Sequence, residues 1–256
     1  MVVKSIFVSH GSPTILVEDD PWKQLLGDLG RRISGEFRPD AVVVISPHFV
    51  SWRREFLVET QQRLPCIQDY YGFPDELYTY CYSTDNDPEL ARRIIEAGRD
   101  AGLAVRGDER WGLDHGAWIP LSYMFPSGVR AVPVSISAEA SLVDHIEMGR
   151  AIAKSVGEER VVVLGTGSPT HRLDLMSLGA RPRRSWFDEL LRKTLEAGDL
   201  NSLLGLHGTR EWMEAQPEGS LKPLYVAVGA AGTARARILG EEAPWAGVSM
   251  LAAEFL

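Results

Sequence analysis

The chain has 256 residues, of which 45% are hydrophobic and 24% are charged, a composition typical of an ordinary globular protein. Its net charge is −8, and its longest basic patch is the short Arg181-Pro182-Arg183-Arg184 segment, which argues against a nucleic-acid surface and against attraction to anionic membranes. The sequence contains neither a signal-peptide pattern nor an apolar run near the roughly 18 residues that cross a bilayer. We therefore expect a cytoplasmic protein that binds neither nucleic acid nor membrane.

Runs of β-branched residues alternate along the chain with segments of helical periodicity. Short apolar runs bounded by Gly, Pro or Ser are typical of buried strands. The predicted strands span 2–8, 41–46, 131–136, 160–164 and 248–254, and the predicted helices span 21–33, 88–101, 142–156, 185–197 and 221–231. This alternation predicts an α/β fold, a single-domain sandwich over residues 1–256 with a central mostly parallel or mixed sheet flanked by helices.

The stretch 50–85 lacks this periodicity and is rich in aromatic residues. We predict that it is irregular and covers a functional site, as long loops often do. The two cysteines of the chain, Cys66 and Cys81, lie within it. They are too few for a disulfide framework or a cysteine-rich metal site, so we expect two ordinary buried or half-buried thiols.

Four of the six histidines follow a strand-like run or lie in a glycine-rich turn. His10 and His48 fall at the carboxyl ends of predicted strands, the edge of an open α/β sheet at which ligands bind. Imidazole is the commonest metal ligand in proteins, and two histidines with one carboxylate hold Fe(II) in non-haem oxygenases. From the residues alone, a metal site and a structural role for these histidines are equally supported.

The other two histidines of this group suit proton transfer at neutral pH. His115 lies in a glycine-flanked turn between Trp111 and Trp118, which could wall an apolar pocket; a surface turn is the alternative. His171 follows a Gly-Thr-Gly-Ser turn whose amides could cradle phosphate, although no lysine follows at P-loop spacing. Structural roles in a helix and in a loop are expected for the remaining histidines, His145 and His207.

Two charged residues lie beside these histidines. Asp114 could orient a neighbouring histidine, and a turn or cap role is equally well supported. Arg172 is a candidate for contacting an anionic substituent of a substrate, although a solvated or structural role fits it better.

Six short motifs occur in a fixed order and together carry a resemblance. They are Ser-His-Gly-Ser-Pro, Val-Val-Ile-Ser-Pro-His-Phe, Tyr-Gly-Phe-Pro, Leu-Asp-His-Gly-Ala-Trp, Gly-Thr-Gly-Ser-Pro-Thr-His and Pro-Leu-Tyr-Val-Ala-Val-Gly-Ala-Ala-Gly. From residue 6 to about residue 233 the chain resembles the class III extradiol ring-cleavage dioxygenase superfamily with LigB-type catalytic subunits, and within it the DOPA 4,5-dioxygenase-like branch. The resemblance implies that His10 and His48 bind the metal and that His115 and His171 are acid/base residues on the substrate side.

The segment expected to supply a third metal ligand departs from that branch. The branch places a histidine in a Pro-Glu-His segment shortly before its Pro-Leu helix, whereas this chain reads Pro217-Glu218-Gly219-Ser220 there. Other class III branches use a glutamate at this point, and Glu218 is similar to it, which would complete a set of two histidines and one carboxylate. The alternative is a site that has lost its third ligand, and Glu214 and Glu211 are less suitable substitutes.

The resemblance implies an Fe(II)-dependent dioxygenase that cleaves the aromatic ring of a catechol-like or aminophenol-like substrate and incorporates both atoms of O2. Fe(II) is the expected cofactor, and Zn(II) could occupy the site in the purified or crystallised protein. The expected partners are a small aromatic substrate and O2, and the oligomeric state stays open, a homo-oligomer included. Two rival functions also remain: a non-enzymatic, Memo-like binding protein with a degenerate metal site, and a zinc hydrolase.

Overall fold

The computed structural model describes residues 2–177 and 181–256, and its main feature is a mixed sheet. The strands are β1 (Val3–Val8), β2 (Ala41–Ile45), β3 (Val50–Ser51), β4 (Phe56–Glu59), β5 (Arg63–Leu64), β6 (Thr84–Asp85), β7 (Val105–Asp108), β8 (Arg130–Pro133), β9 (Ile136–Ser137), β10 (Val161–Thr166), β11 (Ala236–Trp245) and β12 (Val248–Phe255). Six of them form the central sheet in the order β11-β12-β1-β10-β2-β8. Strands β1, β10, β2 and β8 are parallel, whereas β12 runs antiparallel to β1 and to β11.

Helices connect the strands and cover the sheet. They are α1 (Pro21–Glu36), α2 (Pro88–Asp100), α3 (His115–Met124), α4 (Leu142–Ser155), α5 (Leu173–Ser177), α6 (Trp186–Ala197), α7 (Leu200–Gly205), α8 (Arg210–Ala215) and α9 (Lys222–Ala231). Three short 3-10 helices span Pro13–Leu16, Asp75–Thr79 and Glu218–Leu221. The predicted α/β fold with a central mixed sheet flanked by helices is therefore confirmed.

Alternate residues of the central strands enter two different cores. In β2, Val42 and Val44 pack in the core that also contains side chains of α1 and α3. Val43 and Ile45 pack instead with side chains of α2 and α4. Because both faces of these strands are buried, β2 and β10 read as continuous apolar runs rather than as an alternating pattern.

Helices α4 and α9 approach each other so closely that only glycine fits at two positions. A Cβ atom on Gly149 would lie 2.0 Å from the backbone oxygen of Val226, and one on Gly229 would lie 2.0 Å from that of Ile146. Helix α9 in turn packs against β1 and β10. The 3-10 helix Glu218–Leu221, which leads into α9 and begins with the candidate ligand Glu218, is thereby tied to the centre of the sheet.

Several elements of the fold have no counterpart among the predicted strands and helices, and the longest of them are α3 and β11. Helix α3 was expected to begin as a turn, because its residues are apolar on every side and include Pro120, so they show no helical periodicity. Strand β11 contains Gly240 and Pro244 and pairs with β12 through two register shifts. Such residues are tolerated at the edge of a sheet, where β11 lies, but they hide a strand from pattern analysis.

The cysteine prediction is wrong: Cys66 and Cys81 form a disulfide. Between them the chain turns back through the short helix Asp75–Thr79, which brings the two Cα atoms to 5.9 Å. Sequence spacing alone does not reveal such a return.

We call residues 66–81 the cover segment. The predicted irregularity of 50–85 holds for this segment apart from its short helix. It does not hold for residues 50–51, 56–59, 63–64 and 84–85, which form the paired strands β3 to β6. Within the described residues, none of the helices is both long and apolar enough to cross a bilayer.

Candidate functional site

Three histidines reach one point because three parallel strands end side by side. Strand β10 lies between β1 and β2, and its Gly165 pairs with Phe7 on one side and with Ile45 on the other. The segments that leave the carboxyl ends of these strands carry the predicted histidines of the site, His10, His48 and His171. Their meeting at this sheet edge is the position expected for a ligand site in an open α/β fold.

Glu218 lies among these three imidazoles. Its Oε1 atom is 3.5 Å from Nε2 of His10, 3.2 Å from Nε2 of His48 and 3.7 Å from Nε2 of His171. Its Oε2 atom accepts a hydrogen bond of 2.9 Å from the backbone N–H of Ser168. The glutamate is 8% exposed. The structure thus brings the proposed carboxylate to the same point as the histidines.

An unusual turn holds Glu218 in this position. The three residues after it, Gly219, Ser220 and Leu221, all have left-handed backbone angles, with φ of 53°, 55° and 53°. Left-handed backbone costs energy in residues other than glycine and concentrates at functional sites. A Cβ atom on Gly219 would lie 2.8 Å from Cβ of Pro47, so this turn also presses against the segment that carries His48.

His115 lies beside the cluster, at the first position of α3. Its ring centre is 4.2 Å from that of His48 and 5.2 Å from that of His10. One nitrogen from each of these three rings lies within 4.8 Å of the other two, a spacing that could hold a metal ion. The predicted turn around His115 is therefore the start of a helix, and the residue is buried rather than at the surface.

A carboxylate that the sequence analysis missed, Asp69, contacts two of these histidines. Its Oδ1 atom accepts hydrogen bonds of 2.8 Å from both the backbone N–H and Nδ1 of His115. Its Oδ2 atom is 3.3 Å from Nδ1 of His48. The signal for it was its place two residues before the Tyr71-Gly72-Phe73-Pro74 motif, in a stretch already expected to cover a site.

The charges of these groups depend on burial and on one another. Burial lowers the pKa of His10 to about 3, so this imidazole is neutral. Burial also opposes charge on His48, but Glu218, Asp114 and Asp69 raise its pKa to about 9.

The carboxyl groups of Glu218 and Asp69 are both ionised. Burial acts to raise the pKa of Glu218, but His10, His48 and His171 hold it well below its usual range. Burial has the same effect on Asp69, but the hydrogen bonds from His115 hold the pKa of Asp69 at about 2. The ionised Glu218 beside the neutral imidazole of His10 is the state that metal binding requires, whereas His48 would release a proton when it binds a metal.

The donor set fits a metal ion. Within the described part of the chain, Nε2 of His48, the nitrogen that faces Glu218, is buried and has no hydrogen-bond partner. Buried polar atoms of this kind are rare and call for an unseen partner such as an ion. Ligand atoms about 2.1 Å from a metal lie roughly 3 Å apart. The 3.2 and 3.5 Å separations around Oε1 of Glu218 are close to that value.

A cavity of about 590 Å³ opens onto these groups. Its aromatic wall consists of Tyr70, Tyr71, Phe73 and Trp245. The expected walls, Trp111 and Trp118, do not line it. Trp111 stacks on Phe49, and Trp118 is buried and donates its indole N–H to the backbone oxygen of Ile67. The cavity is nevertheless of the size and mixed character of small-molecule sites.

Other candidate residues of the sequence have structural roles. Asp114 caps α3 and accepts hydrogen bonds from Ser46 and Trp111. Arg172 pairs with Asp174 and donates to the backbone oxygen of Glu214, and it is not among the lining residues of the cavity. The side chain of Glu214 is exposed and pairs with Arg210, away from the imidazoles.

The two remaining histidines also have the structural roles expected of them. His145 is fully buried in α4, bonded through Nδ1 to the backbone oxygen of Ser141 and through Nε2 to the backbone N–H of Ser137. His207 is exposed in a turn and packs on Trp212.

Comparisons with known proteins agree with this geometry. The family described as catalytic LigB subunit of aromatic ring-opening dioxygenase matches residues 4–256. The chain is 32% identical over 240 residues to a 4,5-DOPA dioxygenase extradiol of Beta vulgaris, covering 90% of this chain and 88% of that protein. It is 34% identical over 171 residues to a 4,5-DOPA dioxygenase extradiol of Escherichia coli (strain K12), covering 66% of this chain and 60% of that protein.

A solved structure shares the fold. The crystal structure of an uncharacterized protein from Escherichia coli K12 matches with a TM-score of 0.78 and 23% identity, covering 99% of both chains. The resemblance to class III extradiol enzymes, first carried by six motifs, is confirmed by the family match over nearly the whole chain. The chain belongs to the family of catalytic LigB subunits of aromatic ring-opening dioxygenases.

Proposed function

We propose that the chain is an Fe(II)-dependent extradiol dioxygenase that cleaves the ring of a catechol-like or aminophenol-like substrate with O2, with residues 1–256 acting as one catalytic domain. The observation that carries this proposal is the convergence of four imidazoles and one ionised glutamate at the floor of an aromatic-walled cavity. The family match supports ring opening with oxygen as the reaction type.

In this proposal His10, His48 and Glu218 hold the iron. Two imidazoles and one carboxylate are the ligand set of non-haem Fe(II) oxygenases, which leaves positions open for substrate and oxygen. When bound, iron supplies the redox chemistry that lets O2 react with an aromatic ring. His115 is the neighbouring alternative ligand, because its ring also lies within reach of His10 and His48. Its bond to Asp69 and its place on the cavity wall favour a role toward the substrate.

His115 and His171 are assigned to proton transfer. A carboxylate accepts but does not donate, so the bond from Nδ1 of His115 to Asp69 places a proton on Nδ1 and leaves the lone pair on Nε2. Nε2 of His115 is therefore suited to take a hydroxyl proton from the substrate as it binds. Nε2 of His171, 3.7 Å from Oε1 of Glu218 and partly exposed on the cavity wall, is suited to return a proton as the ring opens.

The proposal is tested by loading the protein with Fe(II) without air, adding a panel of catechols and aminophenols, and then admitting O2. We expect a coloured ring-fission product and one O2 consumed per substrate. His115→Ala should lower the rate by about 10²- to 10⁴-fold, the usual contribution of a general acid or base. The matched control His207→Ala, at an exposed turn, should leave the rate unchanged.

The rival functions give different results in the same experiment. Hydrolysis of an ester by the Zn(II)-loaded protein, with no O2 uptake by the Fe(II)-loaded protein, would make the chain a zinc hydrolase. Tight iron binding without product from any compound of the panel would overturn the dioxygenase proposal and favour a Memo-like binding protein.

A further inference from the structure

Asp69 is held in place by the cover segment. Next to it, Nε2 of Gln68 donates hydrogen bonds of 2.7 and 2.8 Å to the backbone oxygens of Tyr78 and Tyr80. On its other side, the hydroxyl of Tyr70 donates to the backbone oxygen of Leu77 at 2.9 Å. The Cys66–Cys81 disulfide closes the loop that contains all of these bonds. Asp69 is therefore fixed by a cross-linked loop rather than by the sheet.

The carboxylate of Asp69 contacts two imidazoles at once. Oδ1 takes two hydrogen bonds of 2.8 Å from His115, one from the backbone and one from Nδ1. Oδ2 lies 3.3 Å from Nδ1 of His48. The side chain of Asp69 is only 17% exposed, so these contacts are largely shielded from water. One carboxylate thus faces the same ring atom, Nδ1, of two different histidines.

This arrangement determines where the protons of both rings lie. An ionised carboxylate can only accept, so Nδ1 of His115, which bonds to Asp69, carries a hydrogen, and the 3.3 Å contact favours a hydrogen on Nδ1 of His48 as well. At His48 a metal ion would then take the place of the proton on Nε2. For His48 that atom is buried, lacks a hydrogen-bond partner within the described residues and lies 3.2 Å from Oε1 of Glu218. Carboxylates that bond to metal-binding histidines in this way fix the ring and strengthen its binding of the metal.

We propose that Asp69 is a positioning residue that holds a proton on Nδ1 of both His48 and His115, and so prepares one ring to bind metal and the other to accept a proton from the substrate. The roles of the two rings rest on the proposed function. The proton positions and the metal affinity do not, because both can be measured without substrate or oxygen.

The test uses the Zn(II)-loaded protein, which is diamagnetic, and nitrogen-detected NMR of the imidazole rings. The signals of the two rings are assigned with the variants His48→Gln and His115→Gln. We expect the wild-type protein to show a hydrogen on Nδ1 of both rings. An Nε2–H tautomer at either ring would overturn the proposal, and this result does not depend on whether any Asp69 variant folds.

The second part of the test changes the carboxylate. Asp69→Asn keeps the size of the side chain but loses the second accepting oxygen, and we expect Zn(II) affinity to fall by about 10- to 100-fold, as is typical when a residue bonded to a metal ligand is replaced. The control Asp75→Asn removes an exposed carboxylate from the same segment and should leave affinity unchanged. Equal affinity of Asp69→Asn and the wild type would overturn the proposal. Loss of affinity in a protein without ring-cleavage activity would instead overturn the proposed function alone.

Discussion

The floor and the cover of the candidate site are held in place by different interactions. The floor consists of residues after β1, β2 and β10, strands buried on both faces, and of Glu218, in the 3-10 helix directly before α9. The cover segment has one short helix, and its interior is held by side-chain bonds to backbone oxygens and by a disulfide. The floor therefore depends on the packing of the whole fold, whereas the cover depends on a local cross-link.

This difference predicts how the floor and the cover respond to destabilising substitutions. Segments that are rich in tertiary packing open only when the protein unfolds, whereas segments held by local bonds can open alone. The two sides meet at the contacts of Asp69 with His48 and His115. When the protein is destabilised, the cover should therefore lose its structure before the floor does.

The largest effect is expected where α9 packs on α4. Gly149→Ala would place a Cβ atom 2.0 Å from the backbone oxygen of Val226, and helices cannot relieve a clash with backbone by a rotamer change. We expect the free energy of unfolding in urea to fall by about 3 kcal/mol, with metal binding lost in parallel. Gly35→Ala serves as the control, because Gly35 lies in α1 with open space around it. This substitution should raise the free energy of unfolding by roughly 0.5–1 kcal/mol. An unchanged free energy of unfolding in Gly149→Ala would show that the floor does not depend on this packing.

Removing the disulfide should affect the cover first. For a loop of 15 residues a disulfide contributes up to about 3 kcal/mol by restricting the open state. In the double variant Cys66→Ser, Cys81→Ser, we expect hydrogen exchange, measured by mass spectrometry, to quicken most in residues 66–81 and much less in β1, β2 and β10. Uniformly faster exchange across the sheet would show that cover and floor form one cooperative unit.

A smaller effect is expected at Glu59, where β4 leads into the chain toward the cover. Burial, and then Asp108, raise the pKa of this fully buried carboxyl from 4.5 to about 7. A raised carboxyl pKa favours the folded state below pH 4.5, and this advantage is lost as the pH rises from 4.5 to about 7. The wild type should therefore lose on the order of 2 kcal/mol of stability over that range relative to Glu59→Gln.

Urea unfolding at pH 5 and at pH 8 measures this difference. The exposed Glu36→Gln serves as the control, and it should keep the pH dependence of the wild type. The same pH dependence in Glu59→Gln and the wild type would show that Glu59 is not the group responsible.

The histidines of the floor could be predicted from sequence, whereas for the cover only its location within the irregular stretch 50–85 could be predicted. His10, His48 and His171 follow strands that are visible as apolar runs, and parallel strands bring such residues together by topology alone. Glu218 was found only through the resemblance, because its position depends on three left-handed residues that show no pattern. Asp69 and the Cys66–Cys81 pair lie in a segment without periodicity, where tertiary contacts decide the path of the chain.

The most direct test of the account is the Fe(II) affinity of Glu218→Ala, measured without air by calorimetric titration, beside the matched control Glu214→Ala. Glu218 contacts the imidazoles, whereas Glu214 is exposed four residues earlier on α8. The account predicts that Glu218→Ala weakens iron binding by at least about 100-fold, more than the loss of a residue that only supports a ligand. Glu214→Ala should bind iron as the wild type does. Unchanged iron affinity in Glu218→Ala would contradict the proposed ligand set and, with it, the account of this site.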